Sequence, residues 1–228
     1  GKKPSPVPHA LPTDELPSVI EEFVRGSRNA IAAGFDGVEI HSANGYLLHE
    51  FLSPASNQRD DAYGGSPENR ARFVAEVVEA VADAIGAGRV GIRISPEHNI
   101  QDALETDPAD VRATYRALVD RIAPLGLSYL SVLHKDPAGE LVQDLRSAFG
   151  GPFLVNSGFG EITTRDEALA IVDDNVGDAV VVGRPAIANP DLVYRWKESL
   201  PLNTPDQSTF YSSGAEGYTD YPFATAAR

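Results

Sequence analysis

The chain has 228 residues, of which 42% are hydrophobic, and this is enough apolar material to build the core of one large domain. Its formal net charge is −14 and its lysines and arginines are scattered, which excludes the basic surface that nucleic acid needs in a partner. No apolar run is long enough to cross a membrane and cysteine is absent, so we expect a cytoplasmic protein without disulfides or a metal site.

Short hydrophobic runs alternate with longer amphipathic segments. The short runs predict five strands, at 37–41, 89–95, 127–134, 153–157 and 179–182. The amphipathic segments predict helices at 15–33, 66–85, 107–122, 140–149, 163–172 and 189–200, with a long loop over 42–65. The strands are hydrophobic through their length, as expected of strands that are buried on both faces. This alternation indicates βαβ units and a parallel sheet.

Two α/β architectures fit the alternation, an open doubly wound sheet and a (β/α)8 (TIM) barrel. The turn after the first strand lacks the glycine pattern of dinucleotide-binding sheets. The last two strands each end in glycine, in Ser157-Gly158-Phe159-Gly160 and in Gly183-Arg184-Pro185. Barrels often bind phosphate with the loops after their seventh and eighth strands, so these loops favour the barrel.

The same two loops are candidates for a phosphate site. Glycine lets backbone N–H groups approach an anion closely, and Arg184 adds a charged donor. The structural alternative is that Gly158 and Gly183 only turn the chain. Because two successive strands end in this way, and arginine follows in one of the loops, we favour phosphate binding.

His41, Asn44 and Tyr46 follow one another where the first strand ends, and barrel active sites lie at that end of the strands. Histidine and asparagine side chains can donate together to one carbonyl or nitro oxygen, which makes the β-carbon of a conjugated alkene electrophilic. A tyrosine can then protonate the α-carbon as a general acid. The alternative is that His41 is a hydrogen-bonded strand-end residue and Tyr46 a packing residue.

Arg93 interrupts the otherwise apolar strand at 89–95. A buried arginine needs a partner, because an unpaired interior charge is costly. An ion pair with Glu39, on the preceding strand, is the structural interpretation. The functional interpretation is that Arg93 faces an electron-rich cofactor ring and stabilises its reduced, anionic form.

Several short motifs are spread over nearly the whole chain, and they are most informative in combination. They are His41-x-x-Asn44-Gly-Tyr46, Phe51-Leu-Ser-Pro54, Asn57-x-Arg59-x-Asp61-x-Tyr63, Glu68-Asn-Arg-x-Arg-Phe73, Gly91-Ile-Arg-Ile-Ser-Pro96, Ile187-Ala-Asn-Pro-Asp191 and Gly217-Tyr-Thr-Asp-Tyr-Pro222. Together they resemble the Old Yellow Enzyme family, in its bacterial nitroester, N-ethylmaleimide and morphinone reductase branch. The resemblance implies an FMN-dependent ene-reductase. Such an enzyme uses NADH or NADPH to reduce activated C=C bonds of α,β-unsaturated carbonyls and nitroalkenes, and also reduces nitroesters.

The resemblance also implies roles for single residues at the substrate. His41 and Asn44 would bind the activating oxygen of the enone or nitro substrate, and Tyr46 would deliver the proton. Tyr211 would line the substrate pocket. All four residues are thus expected to come together in the folded protein.

On the cofactor side, the resemblance assigns Arg93 to the flavin ring. The FMN phosphate would be held by Gly158, Phe159, Gly183 and Arg184. Outside the site, Asn57, Arg59 and Asp61 are expected to brace the long loop over the barrel mouth, and His49, His98 and His134 to be surface or packing residues.

In this family the barrel begins earlier, so the resemblance gives this chain strands four to eight only. Residues 1–200 would form this part of the barrel, and 201–228 an aromatic segment that closes the active site, followed by a tail. We expect a second chain to supply strands one to three. The alternatives are a truncated, non-catalytic subunit that binds no flavin, and another phosphate-binding barrel such as an aldolase, for which Lys135 is the only strand-end lysine.

Overall fold

The computed structural model describes residues 7–158, 160, 162–212 and 214–224. Within them, five strands form one parallel sheet in chain order: β1 (Val38–Ser42), β2 (Val90–Ile94), β3 (Tyr129–Leu133), β4 (Phe153–Asn156) and β5 (Ala179–Val180). The helices are α1 (Leu16–Ala32), α2 (Leu47–Leu52), α3 (Pro67–Ile85), α4 (Pro108–Ile122), α5 (Glu140–Phe149), α6 (Arg165–Asp173), α7 (Arg184–Ala188) and α8 (Leu192–Lys197). Neighbouring parallel strands joined by helices are the repeating unit of a (β/α)8 barrel.

Three of the long helices begin at a side-chain cap, as the sequence predicts. Ser66 Oγ accepts the Asn69 N–H at 3.3 Å at the start of α3. Asp107 accepts the Ala109 N–H at 2.9 Å at the start of α4, and Thr164 forms a capping box at the start of α6. None of the helices in the described ranges is long and apolar enough to cross a membrane.

Two segments differ from the prediction. The predicted loop 42–65 contains the short helix α2, whose apolar side chains are buried, with Phe51 packed against Phe73 of α3. The helix predicted over 189–200 is present but shorter, as α8 (Leu192–Lys197), and the short helix α7 that ends just before Asn189 and Pro190 was not predicted. Proline has no N–H to continue a helix, and the Asn189 side chain instead donates to Pro185 O at 2.8 Å.

The outward face of the sheet forms the core. Ile40, Ile92, Val132 and Val155 point outward and are at most 3% exposed, and they pack against the helices. On the inner face the prediction of strands hydrophobic on both sides was wrong. That face carries polar side chains from β1 to β3, namely Glu39, His41, Arg93, Tyr129 and Ser131. A sheet with one apolar and one polar face leaves the polar face available for a site.

The segment after α8 is held by one buried arginine. Arg195 is 5% exposed, and it donates to Pro201 O and to Pro222 O, each at 2.7 Å. It also forms an ion pair with Asp191 at 2.6 Å. The beginning and the end of the aromatic segment are therefore fastened to the same side chain.

Candidate active site

The carboxyl ends of the five strands lie at one edge of the sheet, because the strands are parallel. The register puts His41 of β1 beside Arg93 of β2, and Arg93 beside Ser131 of β3. All three side chains belong to the inner face, because residues paired side by side on neighbouring strands point to the same face of the sheet. The fold therefore brings together two residues, His41 and Arg93, that are far apart in sequence.

His41 and Tyr46 are in ring contact. Their ring centroids are 5.3 Å apart at an interplanar angle of 60°, an edge-on arrangement. Burial lowers the pKa of His41, and the positive charge of Arg93 lowers it further, while Glu39 opposes the shift. The imidazole is thus neutral at neutral pH and has one N–H to donate. The Tyr46 ring is 55% exposed, so its hydroxyl can reach a ligand.

Asn44 occupies a left-handed turn directly after β1, with φ of 60°. Asparagine tolerates this conformation better than most residues. The Asn44 N–H donates to Ser95 Oγ at 2.8 Å, which ties the turn to the end of β2. Asn44 is 9% exposed, and its Oδ1 has no hydrogen-bond partner among the described residues. The backbone of Asn44 is therefore held in place, and its buried side-chain amide has an unused oxygen.

The partner of Arg93 differs from the structural interpretation of the sequence. Arg93 Nη1 donates to Ser131 Oγ at 2.9 Å, and the Glu39 carboxylate accepts instead from Tyr129. Burial lowers the pKa of Arg93, and Glu39 partly offsets this from nearby. Burial, and then the charge of Glu39, raises the pKa of Tyr129 to about 12, so its hydroxyl remains a donor.

The two glycine loops follow β4 and β5 at the same edge. Gly158 has φ of 100°, and a Cβ there would meet only a Leu133 methyl carbon, at 3.8 Å. A Cβ on Gly183 would meet no described atom within 4 Å. A side chain would therefore find room at both positions, so packing within the chain does not explain why they are glycine. Arg184 is the first residue of α7 and is half-buried.

A cavity of about 280 Å³ lies at the ends of β2, β3 and β4. Ser157 and Gly158 line it, and the Ser157 Oγ is buried without a hydrogen-bond partner in the part of the chain that the structure describes. Phe159, the remaining predicted phosphate residue, lies outside the described residues. Glycines with open space and an unused hydroxyl fit the oxygen-rich phosphate end of a flavin nucleotide.

Tyr211 does not meet the other substrate residues within this chain. Its side chain is 99% exposed and its φ is 61°. Its backbone N–H donates to the Tyr218 hydroxyl at 2.8 Å, which fixes the local turn. The lining of a substrate pocket by Tyr211 therefore stays a prediction.

The bracing of the long loop follows the expectation. Asn57 Nδ2 donates to Phe51 O and Tyr63 O, each at 2.7 Å. Arg59 Nε donates to Asp61 at 2.9 Å, and Arg59 also contacts the Leu11 carbonyl. These contacts join the loop to the segment before α1.

Sequence reasoning missed Ser95 and Ser131, the hydroxyl partners of Asn44 and Arg93. Their only signal is a small polar residue at an inward-facing position, within β3 for Ser131 and just after β2 for Ser95. Of the histidines expected to be surface or packing residues, His49 is completely buried and His134 is 6% exposed, so both belong to the packing class. Across the described residues, no three His, Asp or Glu side chains come together as a metal site.

Comparison with known proteins identifies relatives along the whole chain. A model of the NADH:flavin oxidoreductase / NADH oxidase family matches residues 2–203. The chain is 46% identical over 224 residues to a Leishmania infantum protein named "Probable flavin mononucleotide-dependent alkene reductase". It is 42% identical over 227 residues to 12-oxophytodienoate reductase 1 of Oryza sativa subsp. japonica. The alignments cover 97% and 95% of this chain, but 60% and 58% of the relatives.

Solved structures share the fold. Morphinone reductase in complex with tetrahydroNAD matches with a TM-score of 0.90 at 42% identity, over 99% of this chain and 61% of that one. The Old Yellow Enzyme homologue from Zymomonas mobilis matches with a TM-score of 0.89 at 37% identity, over 97% and 63% of the two chains. The chain thus spans about 60% of these relatives, as part of a (β/α)8 barrel. It belongs to the NADH:flavin oxidoreductase / NADH oxidase family.

Proposed function

We propose that this chain is the larger part of an FMN-dependent enzyme that uses NADH or NADPH to reduce activated C=C bonds. Its substrates would be α,β-unsaturated carbonyls and nitroalkenes, and also nitroesters. The observation that carries the proposal is the meeting of His41, Asn44 and Tyr46 at the end of β1, next to Arg93. Family membership and relatives named for alkene and 12-oxophytodienoate reduction support it. When bound, the flavin supplies hydride to the alkene and regains it from the nicotinamide.

His41 and Asn44 bind the activating oxygen of the substrate in this proposal. His41 offers one N–H from a neutral ring, and Asn44 offers its side-chain amide from a turn fixed by Ser95. Two fixed donors that point at one oxygen stabilise the negative charge that develops on it as the β-carbon is reduced. Strand β1 carries His41, and Ser95 holds the Asn44 backbone, which limits the rearrangement needed on binding.

Tyr46 protonates the α-carbon. Its ring is half exposed and rests edge-on against His41, so the hydroxyl is accessible beside the bound oxygen. Hydride added at the β-carbon and a proton from the Tyr46 hydroxyl at the α-carbon together saturate the double bond. Tyr46 then recovers its proton from solvent, which its exposure allows.

The flavin side of the site uses charge and backbone. Arg93 would face the flavin ring with a guanidinium that Ser131 orients. Gly158, Gly183 and Arg184, together with Phe159, would hold the phosphate. The open space at the two glycines supports this part of the proposal.

The rest of the barrel belongs to the proposal as well. In the described residues β1 pairs with β2 alone and β5 with β4 alone, so one edge of each is open. Strands one to three, supplied by a second polypeptide segment, would close the barrel and complete the flavin site. The aromatic segment that begins at 201 and includes Tyr211 would close the active site.

Two other functions are less well supported. An aldolase-type lysine is activated by desolvation or by a neighbouring cation. Lys135 has the opposite surroundings. Its side chain is 78% exposed, and its Nζ lies 3.5 Å from the negatively charged Glu97 carboxylate. The second alternative is a non-catalytic subunit that binds no flavin.

One experiment separates the last alternative from the proposal. The chain is purified with strands one to three, and its visible spectrum and turnover of 2-cyclohexenone with NADH and NADPH are recorded. The proposal predicts a yellow protein that consumes the enone. A colourless protein would favour the non-catalytic subunit, and a yellow protein without enone turnover would overturn the assigned reaction.

A further inference from the structure

A buried polar network joins the loops that follow β1 and β2. His49, on α2, is completely buried, and Glu105, in the loop after β2, is 4% exposed. His49 Nε2 lies 3.2 Å from Glu105 Oε1, and His49 Nδ1 lies 2.8 Å from the Gly45 backbone nitrogen. The proposed reaction uses neither side chain, so it assigns no function to this buried pair of titratable groups.

The contact with Gly45 fixes the protonation of His49. A backbone N–H can only donate, so His49 Nδ1 accepts and carries no proton. An imidazole without a proton on Nδ1 is the neutral form with its proton on Nε2. That proton lies between His49 and Glu105, so His49 donates and Glu105 accepts. The histidine thus links a backbone amide to a carboxylate with one defined direction of hydrogen bonding.

The Glu105 carboxylate is satisfied from several sides. The Tyr115 hydroxyl donates to Oε1 and the Glu97 N–H donates to Oε2, each at 2.8 Å. Burial, and then the charge of Glu105, raises the pKa of Tyr115 well above its ordinary value, so this hydroxyl keeps its proton. A buried carboxylate whose oxygens accept from three donors is fixed in place and anchors His49.

Gly45 lies between Asn44 and Tyr46, the two residues proposed to bind and protonate the substrate. The backbone is left-handed at both Asn44 and Gly45, with φ of 60° and 77°. A Cβ on Gly45 would come within 2.7 Å of Gln101 Cβ and of the Ile100 carbonyl oxygen, so the turn fits tightly against the loop after β2. A left-handed turn at a non-glycine residue persists only where its surroundings hold it.

We propose that His49 and Glu105 are positioning residues of the active site. Glu105 orients His49, and His49 holds the Gly45 N–H, so that Asn44 and Tyr46 project from a fixed turn. The role assigned to Asn44 and Tyr46 rests on the proposed function. The hydrogen-bond direction of the network does not rest on it, because geometry alone determines it.

Two substitutions at one position separate the two bonds of His49. The side chain in His49→Asn places an amide oxygen near the Nδ1 position, where it can still accept from Gly45. The longer side chain in His49→Gln places an amide nitrogen near the Nε2 position, where it can donate to Glu105 but no longer accept from Gly45. Both are made in the flavin-loaded protein that contains this chain and strands one to three.

We expect His49→Gln to lower kcat for 2-cyclohexenone by about 10²-fold, the effect of a reacting group displaced by about 1 Å. Flavin reduction by NADPH needs no proton from Tyr46 and should be affected much less. His49→Asn should retain most of the parental kcat. Tyr63→Phe removes the hydrogen bond to Glu76, which lies outside this network, so it should lower Tm with little change in kcat.

Two further measurements do not depend on turnover. In the parent protein, 15N NMR should show His49 unprotonated at Nδ1, and the Gly45 amide should exchange slowly with solvent. Exchange at Gly45 should quicken in His49→Gln but not in His49→Asn. A protonated Nδ1, equal Gly45 exchange in the two variants, or parental kcat in His49→Gln would each overturn the inference. A parent that fails to reduce cyclohexenone contradicts the proposed function, and the NMR and exchange data then still decide on the network.

Discussion

Tyr129 lies directly over Gly91: a Cβ at Gly91 would come within 2.3 Å of the tyrosine ring. The two residues are register partners on β3 and β2, and the ring crosses β2 to bring its hydroxyl to Glu39 on β1. One side chain thus spans three strands on the inner face. The Tyr129 side chain and Glu39 lie in the layer of inward-facing residues next to the layer that holds His41 and Arg93.

We predict that Gly91→Ala destabilises the protein by about 1–3 kcal/mol, the range for an overpacked site. The added methyl group would push the Tyr129 ring away from Glu39 and loosen the layer next to Arg93. Urea denaturation of the parent and the variant measures the difference. Gly26→Ala is the matched control, because Gly26 lies inside α1 with open space around it and alanine there should stabilise by about 0.5–1 kcal/mol. Equal stability of the parent and Gly91→Ala would show that the ring moves freely.

Tyr46→Phe tests the proton donor. Loss of a general acid slows a reaction by about 10²–10⁴-fold, so turnover of cyclohexenone should fall in this range. Flavin reduction by NAD(P)H should be nearly unchanged, and nitroesters, which need no protonation at carbon, should be affected less. Stopped-flow measurement of the two half-reactions separates these effects. Unchanged enone turnover would remove Tyr46 from the mechanism.

Arg184→Ala tests the phosphate end of the flavin site. We expect FMN binding to weaken by about 1.5–3 kcal/mol, the contribution of a hydrogen bond to a charged group. Riboflavin lacks the phosphate and should bind the parent and the variant equally. Fluorescence titration with both flavins measures this, and an equal loss for riboflavin would show that Arg184 does not contact the phosphate.

The brace of the long loop predicts a dependence on pH. Hydrogen bonding from Arg59 holds the pKa of Asp61 well below its usual range, against the opposing effect of burial. Because the folded pKa is depressed, this stabilisation is complete at neutral pH and is lost as the pH falls below about 5. Asp61→Asn should therefore be less stable than the parent by about 1 kcal/mol at pH 7, since the pair is partly exposed, and the gap should close in acid. Asp60→Asn, at an exposed neighbour, should leave the stability curve unchanged; a constant gap for Asp61→Asn would assign the loss to another contact.

Local signals predict most of the fold. Ser66 followed by Pro67, and Asp107 followed by Pro108, place two helix starts, because capping depends only on neighbouring residues. The short helix α7 before Asn189 was missed, since its end depends on contacts of the Asn189 side chain with the Pro185 carbonyl and with the chain at Asn203. No pattern of neighbouring residues records such contacts.

The candidate site divides in the same way. His41, Asn44 and Tyr46 lie within one short motif, and sequence alone singles them out. The contact of His49 with Glu105 joins residues 56 positions apart, and neither has a signal in its own neighbourhood. The bond of Arg93 to Ser131, and not to Glu39, depends on the register of β2 and β3, which spacing does not determine.

Light scattering coupled to visible absorbance, applied to the chain alone and to the chain co-expressed with strands one to three, tests most directly whether these 228 residues are part of a shared flavin barrel. We expect the chain alone to associate through the open edges of β1 and β5 and to bind FMN poorly, because unpaired strand edges invite pairing. The co-expressed complex should be monodisperse and yellow, and should reduce cyclohexenone. A monodisperse, flavin-loaded and active monomer of 24.3 kDa from the chain alone would contradict the claim that the barrel is shared with a second polypeptide.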